Sequence, residues 1–110
     1  MTNRVTLLGT VVSDPVYHCT VDARDLLRLT LHIPGGYSDM TLYQECVIWG
    51  GPALGLADCL RKGDRIFVRG SLRYRRDHRR PYVHIRQYVL LGSVAGEALA
   101  LSDAHEHAQQ

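Results

Sequence analysis

Alternating and β-branched segments dominate the chain and predict five β-strands. In residues 26–33, four aliphatic side chains alternate with Arg28, Thr30 and His32, which is typical of a strand buried on one face. Gly9, inside the first such run, predicts a bulge or a sharp bend. The predicted strands cover residues 3–12, 26–33, 40–49, 65–76 and 82–91.

Residues 53–61 have a helical pattern instead. Leu54, Ala57 and Leu60 fall at helical spacing, and Gly63 after two basic residues is a common helix stop. The order is therefore three strands, a short helix and a hairpin with its tip at residues 77–80. This order predicts an all-β, five-stranded OB-fold barrel with one short helix between strands 3 and 4. We assign it to residues 1–92, followed by a flexible or partly helical tail over residues 93–110.

The last two predicted strands each carry a polar face. Strict alternation along the fourth strand turns Ile66, Val68 and Leu72 to one side. Along the fifth strand, the predicted aliphatic face holds Val83, Ile85, Val89 and Leu91, and the predicted polar face holds Tyr82, His84, Arg86 and Tyr88. On the third strand, Gln44 interrupts an otherwise apolar side, which we interpret as an inter-subunit contact.

Composition limits the class of protein. The chain has 110 residues, 45% of them hydrophobic, which suits one folded domain and not a disordered chain. No apolar run approaches the roughly 18 residues that span a bilayer. The three cysteines have unmatched spacings, which fits reduced intracellular thiols better than a disulfide framework. We therefore expect a cytoplasmic protein without membrane contact.

Positive charge is concentrated in one quarter of the chain. Residues 61–86 hold ten of the thirteen basic residues and two acidic residues, a net charge of +8, while the remainder is net −6. A solvated surface is the usual explanation of a charge run, but segregation of this kind favours a polyanion-binding face.

Aromatic residues are interleaved with these arginines. Tyr43 and Trp49 are six residues apart and so share one face of the third strand, while Tyr74 and Tyr82 lie within the basic hairpin. Rings that stack on unpaired bases and cations that contact phosphates are what a single-stranded nucleic-acid site requires. Core packing is an equal alternative for Trp49, and an acidic protein partner is the alternative for the arginines.

Residue patterns for catalysis are missing. The sequence has no P-loop, CxxC or paired-carboxylate motif, and its histidines lack metal-ligand spacing. Cys46 alternates inward with Leu42 and Ile48, which predicts a buried thiol and not a nucleophile. We expect no enzymatic activity, no cofactor and no metal.

Three segments resemble the bacterial single-stranded-DNA-binding protein family. Residues 3–9 (NRVTLLG), followed by Asp14-Pro15, are similar to that family's opening strand and turn. Residues 47–50 (VIWG) match a family position with an aliphatic pair, an aromatic residue and glycine. Residues 60–73 (LRKGDRIFVRGSLR) resemble the family's helix end and fourth strand nearly throughout. The similarity covers roughly residues 3–92 and is weak between residues 18 and 42.

The resemblance implies sequence-independent binding and protection of single-stranded DNA in replication, recombination or repair. It implies that Arg4 contacts the DNA backbone, that Tyr43 and Trp49 stack on bases, and that Arg73 is a basic contact. It also implies a nucleoid-associated homo-oligomer, with a tetramer favoured over a dimer. With the arginines and tyrosines of the basic segment added, the predicted DNA contacts are Arg4, Tyr43, Trp49, Lys62, Arg69, Arg73, Tyr74, Arg75, Arg76, Arg79, Arg80, Tyr82 and Arg86.

The chain departs from the family pattern in places. Arg69 stands where the family usually has an acid, and the hairpin lacks a family tryptophan that Tyr74 or Tyr82 would replace. Residues 103–110 (DAHEHAQQ) differ from the acidic, phenylalanine-tipped tail with which the family recruits replication and repair proteins. The dimeric primosomal replication protein B family, which starts similarly and lacks that tail, is the alternative. An OB-fold protein-interaction module is a further alternative.

Overall fold

Five long strands close into a barrel. The computed structural model describes residues 2–34, 41–76 and 80–93. Its elements in chain order are β1 (Val5–Val11), β2 (Val16–Cys19), β3 (Asp25–Pro34), β4 (Thr41–Trp49), α1 (Gly51–Cys59), β5 (Asp64–Tyr74) and β6 (Pro81–Ser93). The long strands follow the order β1-β5-β6-β4-β3, and β3 also pairs with β1. Only the β4–β6 pairing is parallel among these described strands. The predicted five-stranded OB-fold barrel is confirmed.

The barrel closes where β1 passes from one neighbour to the other. Val5 to Thr10 of β1 pair with β5, whereas Thr10 and Val11 also pair with His32 and Leu31 of β3. A Cβ atom on Gly9 would lie 2.8 Å from the His32 carbonyl oxygen, closer than real Cβ contacts come. Glycine therefore allows β1 to approach β3 closely at the bend that the sequence predicts there.

Strand β2 is an element that the sequence pattern does not reveal. It pairs antiparallel with the first part of β3, from Val16 opposite Arg28 to Cys19 opposite Asp25. All four of its residues are exposed. Because neither face of β2 is buried, its sequence shows no alternation, and the backbone pairing with β3 is what defines it.

The core lies inside the barrel under α1. Its fully buried side chains include Leu27, Leu31, Leu56 and Ile66. The helix turns Ala53 and Leu56 into this core, while Leu54 is 47% exposed, so the predicted inward position of Leu54 is wrong. The helix starts two residues earlier than predicted, and Leu60, just beyond its end, is buried together with Ala53 and Leu56. No helix in the described ranges is long and apolar enough to cross a bilayer.

The end of α1 is held by a basic side chain beyond it. The helix ends at Cys59, and the Arg61 guanidinium donates to the carbonyl oxygens of Ala57, Asp58 and Leu60 at 2.9–3.2 Å. Arg61 therefore satisfies carbonyl groups that a helix end leaves without intrahelical partners. It does so from outside the helix and not from its last turn.

A register shift in β6 corrects the predicted faces of that strand. Arg69 of β5 lies opposite Gln87, but Gly70 lies opposite Ile85, so Arg86 is an extra residue on β6. An extra residue moves the side chains that follow it to the other face, and a second register shift lies at Leu91. Beyond it, Tyr88 packs against the core and Val89 is 53% exposed. The prediction of Tyr88 on the polar face and of Val89 and Leu91 on the core face is wrong.

The side chain of Gln44 has hydrogen-bond partners within the chain. Its amide donates to the carbonyl oxygens of Pro81 and Glu45, both at 3.0 Å. Gln44 therefore joins β4 to the start of β6 within one chain, and a contact with another subunit stays a prediction.

Candidate nucleic-acid interface

The outward side of β3 and β4 carries two of the predicted stacking residues. Tyr43 is 58% exposed, and its ring centroid lies 5.5 Å from that of His32 on the opposite strand. Trp49 lies on the same outward side at the other end of β4, opposite Leu26 and half-buried. We call the outward surface that contains Tyr43, Trp49 and Tyr82 the stacking face.

Trp49 is covered by an arginine from a neighbouring turn. The guanidinium carbon of Arg24 lies 4.3 Å from the centre of the Trp49 ring system, within the range of a cation–π contact. The turn before β3 holds Arg24 in place, because the Thr20 hydroxyl accepts a hydrogen bond from the Arg24 backbone N–H at 3.1 Å. Trp49 is therefore not a core residue. It is a half-buried ring that pairs with the Arg24 cation.

Tyr82 brings the first residues of β6 to the same surface. It lies opposite Arg73 of β5, and the guanidinium carbon of Arg75 lies 4.9 Å from the centre of its ring. Arg75 in turn donates to both carboxylate oxygens of Glu45 on β4, at 2.9 and 3.4 Å. This chain of contacts connects the basic hairpin to the stacking face.

Two further predicted residues border this surface. Arg80 lines a depression together with Tyr43, Glu45 and Pro81. Tyr74 is 67% exposed at the end of β5, opposite Pro81. The predicted contacts Tyr43, Trp49, Arg73, Tyr74, Arg75, Arg80 and Tyr82 are therefore brought together by the fold.

His84 lies among the cations of this region. It pairs with Val47 of β4 on one side and with Ser71 of β5 on the other. Burial lowers the pKa of His84, and the positive charges of Arg73, Arg86 and Arg24 lower it further. Three arginines from three separate segments thus act on one side chain, and their combined field favours anions there.

A second basic surface lies around the extra residue of β6. Arg4, Arg69 and Arg86 line one groove together with Gln87, and we call it the arginine groove. The Arg69 guanidinium donates to the Gln87 side-chain oxygen at 3.2 Å. The segment before β1 is tied to this region by Asn3, which exchanges two hydrogen bonds with the backbone of Leu72 at 2.8 and 2.9 Å. The fold therefore places Arg4 in the same groove as residues that are more than sixty positions away in the sequence.

Two predicted contacts make none of the contacts that define either surface, and a third lies outside the described residues. Lys62 lies in the turn after α1, where its backbone N–H donates to Asp14 at 2.8 Å. Arg76 is exposed just beyond β5. Arg79 lies outside the described residues. The roles of these three residues stay predictions.

The structure also adds residues that the sequence-based list lacks. Arg24 and Arg28 fall in the acidic part of the chain by charge count, yet both lie beside the stacking face. Alternation along β3 already placed Arg28 on a polar face with His32, so a signal for Arg28 existed. Arg24 had none, because a turn residue follows no alternation and its partner Trp49 is 25 positions away.

Cys46 is a buried thiol, as predicted. It is fully buried, and burial raises its pKa to about 12. A thiol with that pKa is protonated at neutral pH, which is unsuited to nucleophilic attack. Among the described residues, no group of three His, Cys, Asp or Glu side chains is placed to hold a metal ion.

Comparison with known proteins agrees with the geometry. The profile of the Single-strand binding protein family matches residues 2–95. The crystal structure of the SSB domain of a protein from Synechococcus sp. is similar, with 25% identity and a TM-score of 0.71. That match covers 80% of this chain and 94% of the other. No curated protein matches. The two matches support single-stranded DNA binding.

Proposed function

Because this chain belongs to the single-strand binding protein family, we propose that it binds and protects single-stranded DNA independently of sequence, in replication, recombination or repair. It does so without catalysing a reaction and without a cofactor. We further propose that it acts in the cytoplasm at the nucleoid, where replication or repair proteins are its candidate partners.

The observation that carries the proposal is the combination of rings and guanidinium groups on one surface. Tyr43, Trp49 and Tyr82 come from two strands, and Arg24 and Arg75 lie against two of these rings. Every base has a π-face, so stacking on aromatic residues is tolerant of sequence. Arginine contacts phosphate through paired N–H groups and also stacks on a base.

We propose a DNA path that continues from the stacking face into the arginine groove. Arg86 belongs to that groove, and its charge also acts on His84 beside the stacking face. The strand would therefore cross β6 at its extra residue, where Arg86 lies outside the regular register. The proposed contacts on this path are Arg4, Tyr43, Trp49, Arg69, Arg73, Tyr74, Arg75, Arg80, Tyr82 and Arg86.

An apolar row beside the groove supports the proposed homo-oligomer. Leu8, Phe67 and Val89 lie opposite one another on the outward side of β1, β5 and β6. Leu8 is 43% and Val89 is 53% exposed. An exposed apolar row on a sheet favours contact with another protein surface. We propose a tetramer, with a dimer as the alternative; sedimentation of the wild type and of Val89→Lys distinguishes these states from a monomer.

The experiment that tests the function uses Trp49, the single tryptophan of the chain. Its fluorescence is followed during titration with poly-dT, and with duplex DNA of equal charge, at two salt concentrations. We expect strong quenching with preference for the single strand, and an affinity that falls as salt rises. Equal, weak binding of both DNAs would mean that the arginines attract any polyanion, and it would refute the proposal.

A further inference from the structure

One carboxylate lies within the proposed DNA-binding surface. Glu45 points outward from β4 between Tyr43 and Val47, and its side chain is 31% exposed. Across the described parts of β3, β4, β5 and β6, the other acidic residues are Asp25 and Asp64, each the first residue of its strand. Asp25 accepts from the Tyr17 hydroxyl, and Asp64 from the Arg61 backbone N–H. Glu45 alone lies in the middle of a strand, on the stacking face.

Glu45 is paired with two of the cations that a phosphate would use. Its two oxygens accept from Arg75 at 2.9 and 3.4 Å, and the Arg28 Nε lies 3.8 Å from one of them. The Arg75 side chain is 27% exposed, and its guanidinium contacts both this carboxylate and the Tyr82 ring. A forked guanidinium that binds a carboxylate bidentately has the same geometry for a phosphate. The carboxylate therefore occupies the position of a ligand anion.

We propose that Glu45 is a resident counter-anion that competes with DNA phosphate for Arg75 and Arg28. In the free protein it neutralises part of the cationic surface and holds Arg75 over Tyr82. When a strand binds, Arg75 exchanges the carboxylate for a phosphate and leaves Glu45 unpaired, or else Arg75 stays with Glu45 and the phosphate loses that contact. In both cases Glu45 weakens binding and lowers the number of salt ions that binding releases. This inference rests on the proposed function.

The test is Glu45→Gln, which removes the charge and keeps the shape. We expect its dissociation constant for a dT oligomer to fall by up to about fivefold, the range of a partly exposed ion pair. The slope of log affinity against log salt should become more negative by about 0.7, one additional phosphate contact. The matched control is Asp58→Asn, which removes the same charge from the exposed side of α1 and should change neither quantity.

A second variant keeps the inference testable if Glu45→Gln is poorly folded in a thermal melt. Arg75→Ala should weaken binding and flatten the slope less than Arg73→Ala does, because Glu45 offsets part of the contribution of Arg75. Equal losses for these two arginine variants would contradict the proposal. So would unchanged or weaker binding by a folded Glu45→Gln, which would make Glu45 a support for Arg75. If the wild type does not bind dT oligomers at all, the proposed function fails first.

Discussion

Two substitutions on one surface should separate base stacking from charge. Tyr43→Ala removes a ring that is 58% exposed and has His32 on one side, which leaves its other side for one base. Loss of one stacked base costs about 1–3 kcal/mol, so the dissociation constant should rise about 5- to 150-fold. The salt slope should hardly change, because no cation is removed. Tyr43→Phe retains the ring and should bind almost as the wild type does.

Arg73→Ala should have the opposite signature. Arg73 is exposed and lies opposite Tyr82, so its loss removes one phosphate contact and leaves the core intact. The salt slope should become less negative by about 0.7, while Arg73→Lys, which keeps the charge, should retain the wild-type slope. Titrations with a dT oligomer at five salt concentrations give both quantities. If Tyr43→Ala changes the slope as much as Arg73→Ala, or if neither changes affinity, the stacking face is wrongly assigned.

Three further predictions follow from contacts around these surfaces. Arg24→Ala should weaken DNA binding and flatten the salt slope by about 0.7, as titration would show. It should also change the fluorescence emission of Trp49 in the free protein. Unchanged emission would contradict the Arg24–Trp49 contact. The lowered pKa of His84 means that protonation favours the unfolded chain, so stability should be highest above about pH 6.5 and fall as the pH drops below it. Urea denaturation at pH 7.5 and 5.5 should show a smaller loss in His84→Gln. Gly70→Ala should destabilise the fold by about 2 kcal/mol or more in the same assay, because its Cβ would lie 1.9 Å from the His84 carbonyl oxygen; Gly55→Ala, with open space around it on α1, should not.

The strands that bury one face could be predicted from the sequence. β3 alternates cleanly, because Leu27, Leu29 and Leu31 line the barrel interior while Arg28 and Thr30 face outward. The same physical reason explains why β2 was missed, since a strand exposed on both faces leaves no hydrophobic period to detect. The fold class then followed from the order of elements along the chain, because three strands, one short helix and a terminal hairpin fit the OB fold.

The extra residue in β6 could not be predicted from the alternation of apolar and polar residues. Alternation assumes an unbroken register, and the inserted residue at Arg86 reverses the assignments that follow it, up to a second register shift at Leu91. Gly70, directly across from this region, was the available signal, since a glycine inside a strand often marks a close backbone approach. With that glycine taken as a marker, Tyr88 would have been expected to face the core and Val89 to face outward.

The candidate site shows a different limit, because its residues were identified by type but not by partner. A count of basic residues along the chain suggests ten equivalent phosphate contacts in residues 61–86. In the fold these side chains are not equivalent: Arg75 is neutralised by Glu45, Arg61 holds the end of α1, and Arg24, from outside the segment, covers Trp49. Local charge density therefore overstates the number of cations that DNA can use. These pairings predict a salt slope that is smaller in magnitude than ten phosphate contacts would give. If Glu45→Gln makes the slope steeper, the difference is explained by the Glu45–Arg75 pair.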